Sequence, residues 1–195
     1  VAPVGRGGTT EPDKSIIVQG PLDPAQNLKT ILDGFYLFVN RLGTVKNEDW
    51  DRAHPLRMWS PGDFELRIHG TGDGRSYLEN YAASQGLEDQ VSFQPWIDPR
   101  ERDSILESAL MVIDLPLTGD ASVLPYHAMA LGVPAVFSRR HNGLDSLAGS
   151  RDLAHPIGCN DTDELARSML EATRTPKSAR TPCSDLRTAL DPENT

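Results

Sequence analysis

Cysteine is scarce in this chain. Only Cys159 and Cys183 occur among 195 residues, which excludes a disulfide framework and any cysteine-rich metal site. Long apolar runs are missing: the run at residues 109–113 has strand length, far short of the ~18 residues of a membrane span. Nothing at the start reads as a signal peptide. Positive charge is in short supply, with 19 Lys+Arg against 28 Asp+Glu and a net charge of −9, so a grip on a nucleic-acid backbone is disfavoured. Neither G-x-G-x-x-G nor G-x-x-x-x-G-K-[ST] occurs, which argues against a dinucleotide fingerprint and a P-loop. The five histidines, His54, His69, His127, His141 and His155, stand at no metal-ligand spacing from each other or from cysteine. These absences lead us to expect a cytoplasmic protein with no transmembrane segment, no nucleic-acid partner and no metal.

The hydrophobic fraction of 38% suffices for a core. Residues 1–14, rich in Gly, Pro and Thr, read as a linker or lead-in. Residues 15–19 form an apolar, β-branched run stopped by Gly20-Pro21, a buried-strand signal. Leu28, Ile31, Leu32, Phe35, Phe38, Val39 and Leu42 recur at steps of three and four, predicting a helix over 27–41. Residues 44–62, with Trp50, Trp59, Pro55 and Pro61, read as an irregular insertion. Strands are expected at 64–69, 91–94, 110–115 and 135–138. Helices are expected at 75–85, at 99–108 with Pro99 in the first turn, at 122–131 ending at Gly132, and at 161–174. Asp161 and Glu164 give the last of these a capping-box signature. We therefore place one domain at 15–174, followed by a tail at 175–195 with a short helix near 184–190. The alternation predicts an α/β fold, a Rossmann-like parallel sheet flanked by helices on both faces.

Ligands of such sheets sit beyond the carboxyl ends of the strands, so the loops there carry the candidate site. Gly70-Thr71-Gly72-Asp73-Gly74 either lets a phosphate approach the backbone or makes a tight strand-to-helix turn. In Gly119-Asp120-Ala121-Ser122, small residues aim a helix start at a phosphate, or Asp120 caps the helix. His127 follows in that helix, as a ligand contact or a structural histidine. The Asp120, Ser122 and His127 set lacks a G-x-S-x-G elbow, which argues against a hydrolase triad. Trp96 stacks on a base or covers the core. Arg139-Arg140-His141 neutralise a diphosphate or form a solvated loop.

In order, these segments resemble the C-terminal, nucleotide-sugar-binding half of GT-B-fold glycosyltransferases of the group 1 type. Gly20-Pro21-Leu22-Asp23-Pro24-Ala25-Gln26-Asn27 is similar to the family's G-R-L-x-x-x-K-N. Leu66-Arg67-Ile68-His69-Gly70-Thr71-Gly72 is similar to L-x-I-x-G-x-G, and Val91-Ser92-Phe93-Gln94-Pro95-Trp96 to V-x-F-x-G-x. The run from His127 to Val136, H-A-M-A-L-G-V-P-A-V, is similar to E-A-M-A-x-G-x-P-V-V. The resemblance covers roughly residues 1–173. It implies a nucleoside-diphosphate-sugar donor, no cofactor, and an acceptor-binding N-terminal domain of the same protein, through which alone any peripheral membrane contact would run.

Four positions depart from the pattern. Pro21 and Gln26 stand where the family carries the Arg and Lys that hold the diphosphate. Gly119 and His127 stand where it carries two glutamates, the second of which holds the ribose. The candidate donor contacts are Gly20, Gly70, Gly72, Trp96, Gly119, Asp120, Ala121, Ser122, His127 and Arg139, with Lys29 or Arg139 as replacement cations. Three functions follow: the donor half of a transferase, a non-catalytic GT-B-like domain for partner binding or assembly, and an unrelated nucleotide-binding domain. The missing fingerprint opposes the third.

Overall fold

The computed structural model describes residues 14–45, 60–118, 122–140, 153–174 and 180–190. Residues 1–13 of the expected 1–14 lead-in and most of the insertion, including Trp50, Pro55 and Trp59, lie outside them.

The described strands are β1 (Ser15–Gln19), β2 (Glu65–His69), β3 (Val91–Gln94), β4 (Met111–Asp114), β5 (Ala135–Ser138) and β6 (Ala154–Ile157). They form one sheet in the order β3-β2-β1-β4-β5-β6, with every neighbouring pair parallel. The helices are α1 (Leu28–Val45), α2 (Arg75–Ser84), α3 (Arg102–Ser108), α4 (Leu124–Ala130), α5 (Thr162–Arg174) and α6 (Ser184–Ala189). Strand side chains alternate between two cores. Ile16, Val18, Leu66, Ile68 and Ile113 pack with Phe35, Phe38, Leu78 and Met169 of α1, α2 and α5. Ile17, Val112, Ala135 and Phe137 pack with Leu106, Met129 and Leu186 of α3, α4 and α6. Strands buried on both faces need apolar residues at every position, which is why they read as continuous runs.

Three local features differ from expectation. The strand β6, A-H-P-I, carries a proline and one β-branched residue and gave no strand signal; a proline is tolerated at a sheet edge, where its missing donor is not needed. The helix α3 starts at Arg102, not Pro99, because the N–H groups of Glu101 and Arg102 both donate to the Asp98 carbonyl (2.9 and 3.0 Å), making Pro99 part of a preceding turn. Residues 180–190 of the expected tail fold back onto the domain. Cys183 N–H donates to the Met129 carbonyl at 3.0 Å, and Arg180, 7% exposed, donates to the carbonyls of Leu110 and Ala172 at 3.0 and 3.1 Å. The α4 end is set by Gly132 at φ 77°, a left-handed stop that favours glycine.

Candidate functional site

Strand order reverses between β1 and β4, so the ligand crevice of this topology lies at their carboxyl ends. The loop after β1 organises that edge. Its Gly20 and Leu22 amides donate to the carbonyls of His69 and Thr71, both at 3.0 Å, and Gly74 N–H donates back to the Leu22 carbonyl at 3.0 Å. On its other side, Leu117 N–H donates to the Ala25 carbonyl at 2.8 Å, and Asn27 Nδ2 donates to the Cys159 carbonyl at 2.6 Å. The loops after β1, β2, β4 and β6 are thus tied together.

This packing explains the glycines. A Cβ on Gly70 would lie 1.9 Å from the Gly20 oxygen, and one on Gly72 would lie 2.8 Å from the Leu22 oxygen. Their missing side chains admit the neighbouring loop. A Cβ on Gly20 would fall 1.7 Å from Gln26 Nε2, so the Gln26 amide covers it. Trp96 is 47% exposed, and its indole N–H donates to Thr71 Oγ1 at 3.2 Å; the ring stands at the crevice rim rather than in the core. Gly119, Asp120 and Ala121 lie outside the described residues. Ser122 follows them: its N–H donates to Asp114 Oδ2 at 3.2 Å, and its Oγ accepts from Leu124 N–H at 3.1 Å. Asp114, at the end of β4, is 3% exposed. The sequence carries a signal for it, a carboxylate ending an apolar strand.

His127 sits half-buried on α4. Burial holds its imidazole below the usual histidine range, the Arg102 charge adds to this, and Asp103 opposes it. The neutral ring has one donor and one acceptor nitrogen. His69, at the end of β2, is also kept neutral mainly by burial. Its Nδ1 lies 3.0 Å from the Pro95 carbonyl; a carbonyl only accepts, so Nδ1 carries the hydrogen. Its Nε2 and Gln19 Oε1, the polar ends of register partners on β2 and β1, are buried without a hydrogen-bond partner.

The two replacement cations are occupied. Lys29 bonds Asp33 at 2.9 Å and lies 4.5 Å over the Tyr81 ring; these hydrogen-bond partners raise its pKa. Tyr81 and Gln85 hold the other Asp33 oxygen. Arg139 pairs with Glu164. Asp23 takes the Ala25 and Gln26 amides at 2.8 and 3.2 Å. A cavity of about 460 Å³ opens between the starts of α1 and α2, lined by Leu22, Asn27, Lys29, Gly74 and Tyr77. Among the described residues no group of three or more His, Cys, Asp or Glu is placed to hold a metal ion, and no helix is long and apolar enough to cross a membrane.

A single parallel sheet in this order, covered on both faces, defines a Rossmann-like α/β domain with its crevice at the β1–β4 reversal, one half of a GT-B fold. The family profile described as "Glycosyl transferases group 1" matches residues 11–183; the chain belongs to that family. A variant of TarM from S. aureus, solved with fondaparinux, alpha-GlcNAc-glycerol and UDP, has TM-score 0.68 and 14% identity, over 100% of this chain and 35% of that one. Anabaena HepE, in complex with UDP and glucose, has TM-score 0.66 and 14% identity, over 91% and 44%. Sucrose-phosphate synthase from Thermosynechococcus elongatus has TM-score 0.66 and 16% identity, over 93% and 42%. The chain spans less than half the length of each. No curated protein sequence matches it significantly.

Proposed function

We propose that this domain is the donor half of a glycosyltransferase, binding a nucleoside-diphosphate sugar at the carboxyl edge for transfer to an acceptor held by a second domain. The observation that carries the reading is the family match over residues 11–183. UDP in similar folds makes it the first donor base to test. In this reading the neutral His127 ring holds the ribose hydroxyl pair, offering one donor and one acceptor. Trp96 stacks on the base. The resemblance adds Gly119 and Asp120, which lie outside the described residues, as backbone donors to the phosphates, where fixed dipoles offset charge growing on the leaving diphosphate. No metal or other cofactor is invoked, and the reaction is placed in the cytoplasm. A second domain is supported by exposed apolar side chains at the carboxyl end: Tyr77, Trp96, Leu117 and Val123. Side chains of this size gathered at one end mark an interaction surface.

One observation favours the non-catalytic reading: Pro21 and Gln26 supply no charge, and Lys29 and Arg139 are engaged by the chain's own carboxylates. Calorimetric titration with UDP, GDP and ADP separates the two. The donor-half reading expects binding of one of them, weakened several-fold by His127→Ala. No heat with any of the three at millimolar ligand overturns it and leaves the non-catalytic reading.

A further inference from the structure

The carboxyl edge is largely self-neutralised. Asp23 occupies the amides at the start of its loop, Asp33 holds Lys29, Asp98 clamps Arg100 at 2.7 Å, and Glu164 holds Arg139. Arg75 is bonded to Glu79 at 2.8 Å. Arg102 differs. Its only carboxylate neighbour among the described residues is Asp103, at 3.9 Å, beyond hydrogen-bond range, and its buried Nε has no partner. Arg140 also lacks a carboxylate among the described residues, but its side chain is exposed on a turn.

Arg102 is set into the fold. It opens α3, and Ile105, Leu106 and Ala109 follow at helical spacing on the side facing the second core. That side of α3 packs on α4, which carries His127. The Arg102 charge is felt at the His127 ring. A guanidinium held on an inward helix face without a hydrogen-bonded carboxylate has a donor left without an acceptor, and its planar fork suits phosphate oxygens.

Resting on the donor-half reading, we propose that Arg102 is the cation of the nucleotide site: with His127 beside it, it binds a phosphate oxygen of the bound nucleotide. It takes over the charge that Pro21 and Gln26 do not supply. The contact is a charge-assisted hydrogen bond, so its loss costs about tenfold or more in affinity.

The test titrates the chain with UDP, inorganic pyrophosphate and uridine, using calorimetry and NMR, at two salt concentrations. Arg102→Gln is expected to weaken UDP and pyrophosphate about tenfold or more and to flatten the salt dependence, while uridine is unaffected. Arg102→Lys, which keeps the charge without the fork, is expected to fall between. Arg187→Gln on α6 serves as the control, and thermal melts confirm folding. The proposal fails if Arg102→Gln binds UDP as the wild type does, or loses uridine and UDP in equal measure. If none of UDP, GDP and ADP binds the wild type but pyrophosphate does, and needs Arg102, the donor-half reading falls and the cation assignment stands. If UDP binds wild type and Arg102→Gln equally, the reverse holds. If neither pyrophosphate nor any of the three nucleoside diphosphates binds the wild type, both fall.

Discussion

Replacing Gly70 by alanine asks whether that glycine serves the ligand or the fold. The new Cβ would lie 1.9 Å from the Gly20 carbonyl oxygen and 3.0 Å from its carbon. Both are backbone atoms, which cannot swing aside as a side-chain end can. To restore van der Waals distance the β1 loop must retreat by roughly 1 Å or more. That retreat loads three hydrogen bonds: Gly20 N–H to His69 (3.0 Å), Leu22 N–H to Thr71 (3.0 Å) and Gly70 N–H to Gln94 (2.9 Å). At ~1 kcal/mol net each, with ~1–3 kcal/mol for overpacking, the loss is about 4–6 kcal/mol. For a domain of this size that lowers Tm by roughly 10–20 °C. Two glycines calibrate the result. Gly86 has φ 72° and nothing within 4 Å of its Cβ position, so alanine there meets backbone strain alone, ~1 kcal/mol. Gly62 has open space and no left-handed φ, so alanine there stays within ~0.5 kcal/mol. Urea melts of the three variants should rank Gly70→Ala far below Gly86→Ala, with Gly62→Ala near the wild type. A Gly70→Ala protein within about 1 kcal/mol of wild type that no longer binds nucleotide would refute the packing argument and assign the glycine to the ligand.

Two further outcomes concern buried polar groups. His69 and His127 both titrate below the unfolded value of about 6.5; in the window below it the unfolded chain binds more protons, so stability is full above pH 6.5 and falls as pH drops. Urea melts at pH 7.5, 6.5 and 5.5 should show this, with a shallower decline in His69→Val; an unchanged slope in that variant rules out His69 as a source. Arg180→Met leaves the Leu110 and Ala172 carbonyls without their buried donor, an expected loss of about 2–4 kcal/mol by chemical denaturation; a change under ~0.5 kcal/mol would mean the tail adds nothing there.

The sheet was legible in the sequence because β1, β4 and β5 are buried on both faces and spell themselves out as apolar runs, while β2 and β3 alternate apolar with polar residues at strand spacing. The sixth was not, because an edge strand containing Pro156 needs neither the ladder donor nor the apolar alternation. The α1 register was legible from Leu28 to Leu42, and the α5 cap from Asp161, whose carboxylate accepts Glu164 N–H at 2.8 Å. The site was less so. Lys29 and Asp33 stand four residues apart, a spacing that pairs on a helix, but Tyr81 and Gln85 come from another helix. Arg139 meets Glu164 across 25 positions. Gly70, open to a phosphate or a turn when read alone, answers to Gly20, fifty positions earlier. Such facts belong to tertiary packing, and no local pattern carries them.

The electrostatics of the carboxyl edge now argue for a particular way of holding a dianion. Three carboxylates there sit on groups an incoming phosphate would seek: Asp23 on two loop amides, Glu164 on Arg139 and, at 3.4 Å, the Gly158 amide, and Asp114 on Ser122 N–H. A phosphate replacing any of them must displace a short-range partner already in place. The released carboxylate then stands beside the anion and repels it. On a chain of net charge −9 no long-range field compensates for this. In the donor-half reading, affinity must therefore come from groups that no carboxylate has claimed. Among the described residues these include the neutral His127 ring, the Trp96 face and Arg102, carried by the loop after β3 and by α3 and α4 rather than by the β1 loop where the family keeps its Arg and Lys. A nucleotide held that way would depend on its base and ribose more than on its phosphates, so losing Trp96 should weaken uridine and UDP alike, whereas losing Arg102 should weaken only UDP.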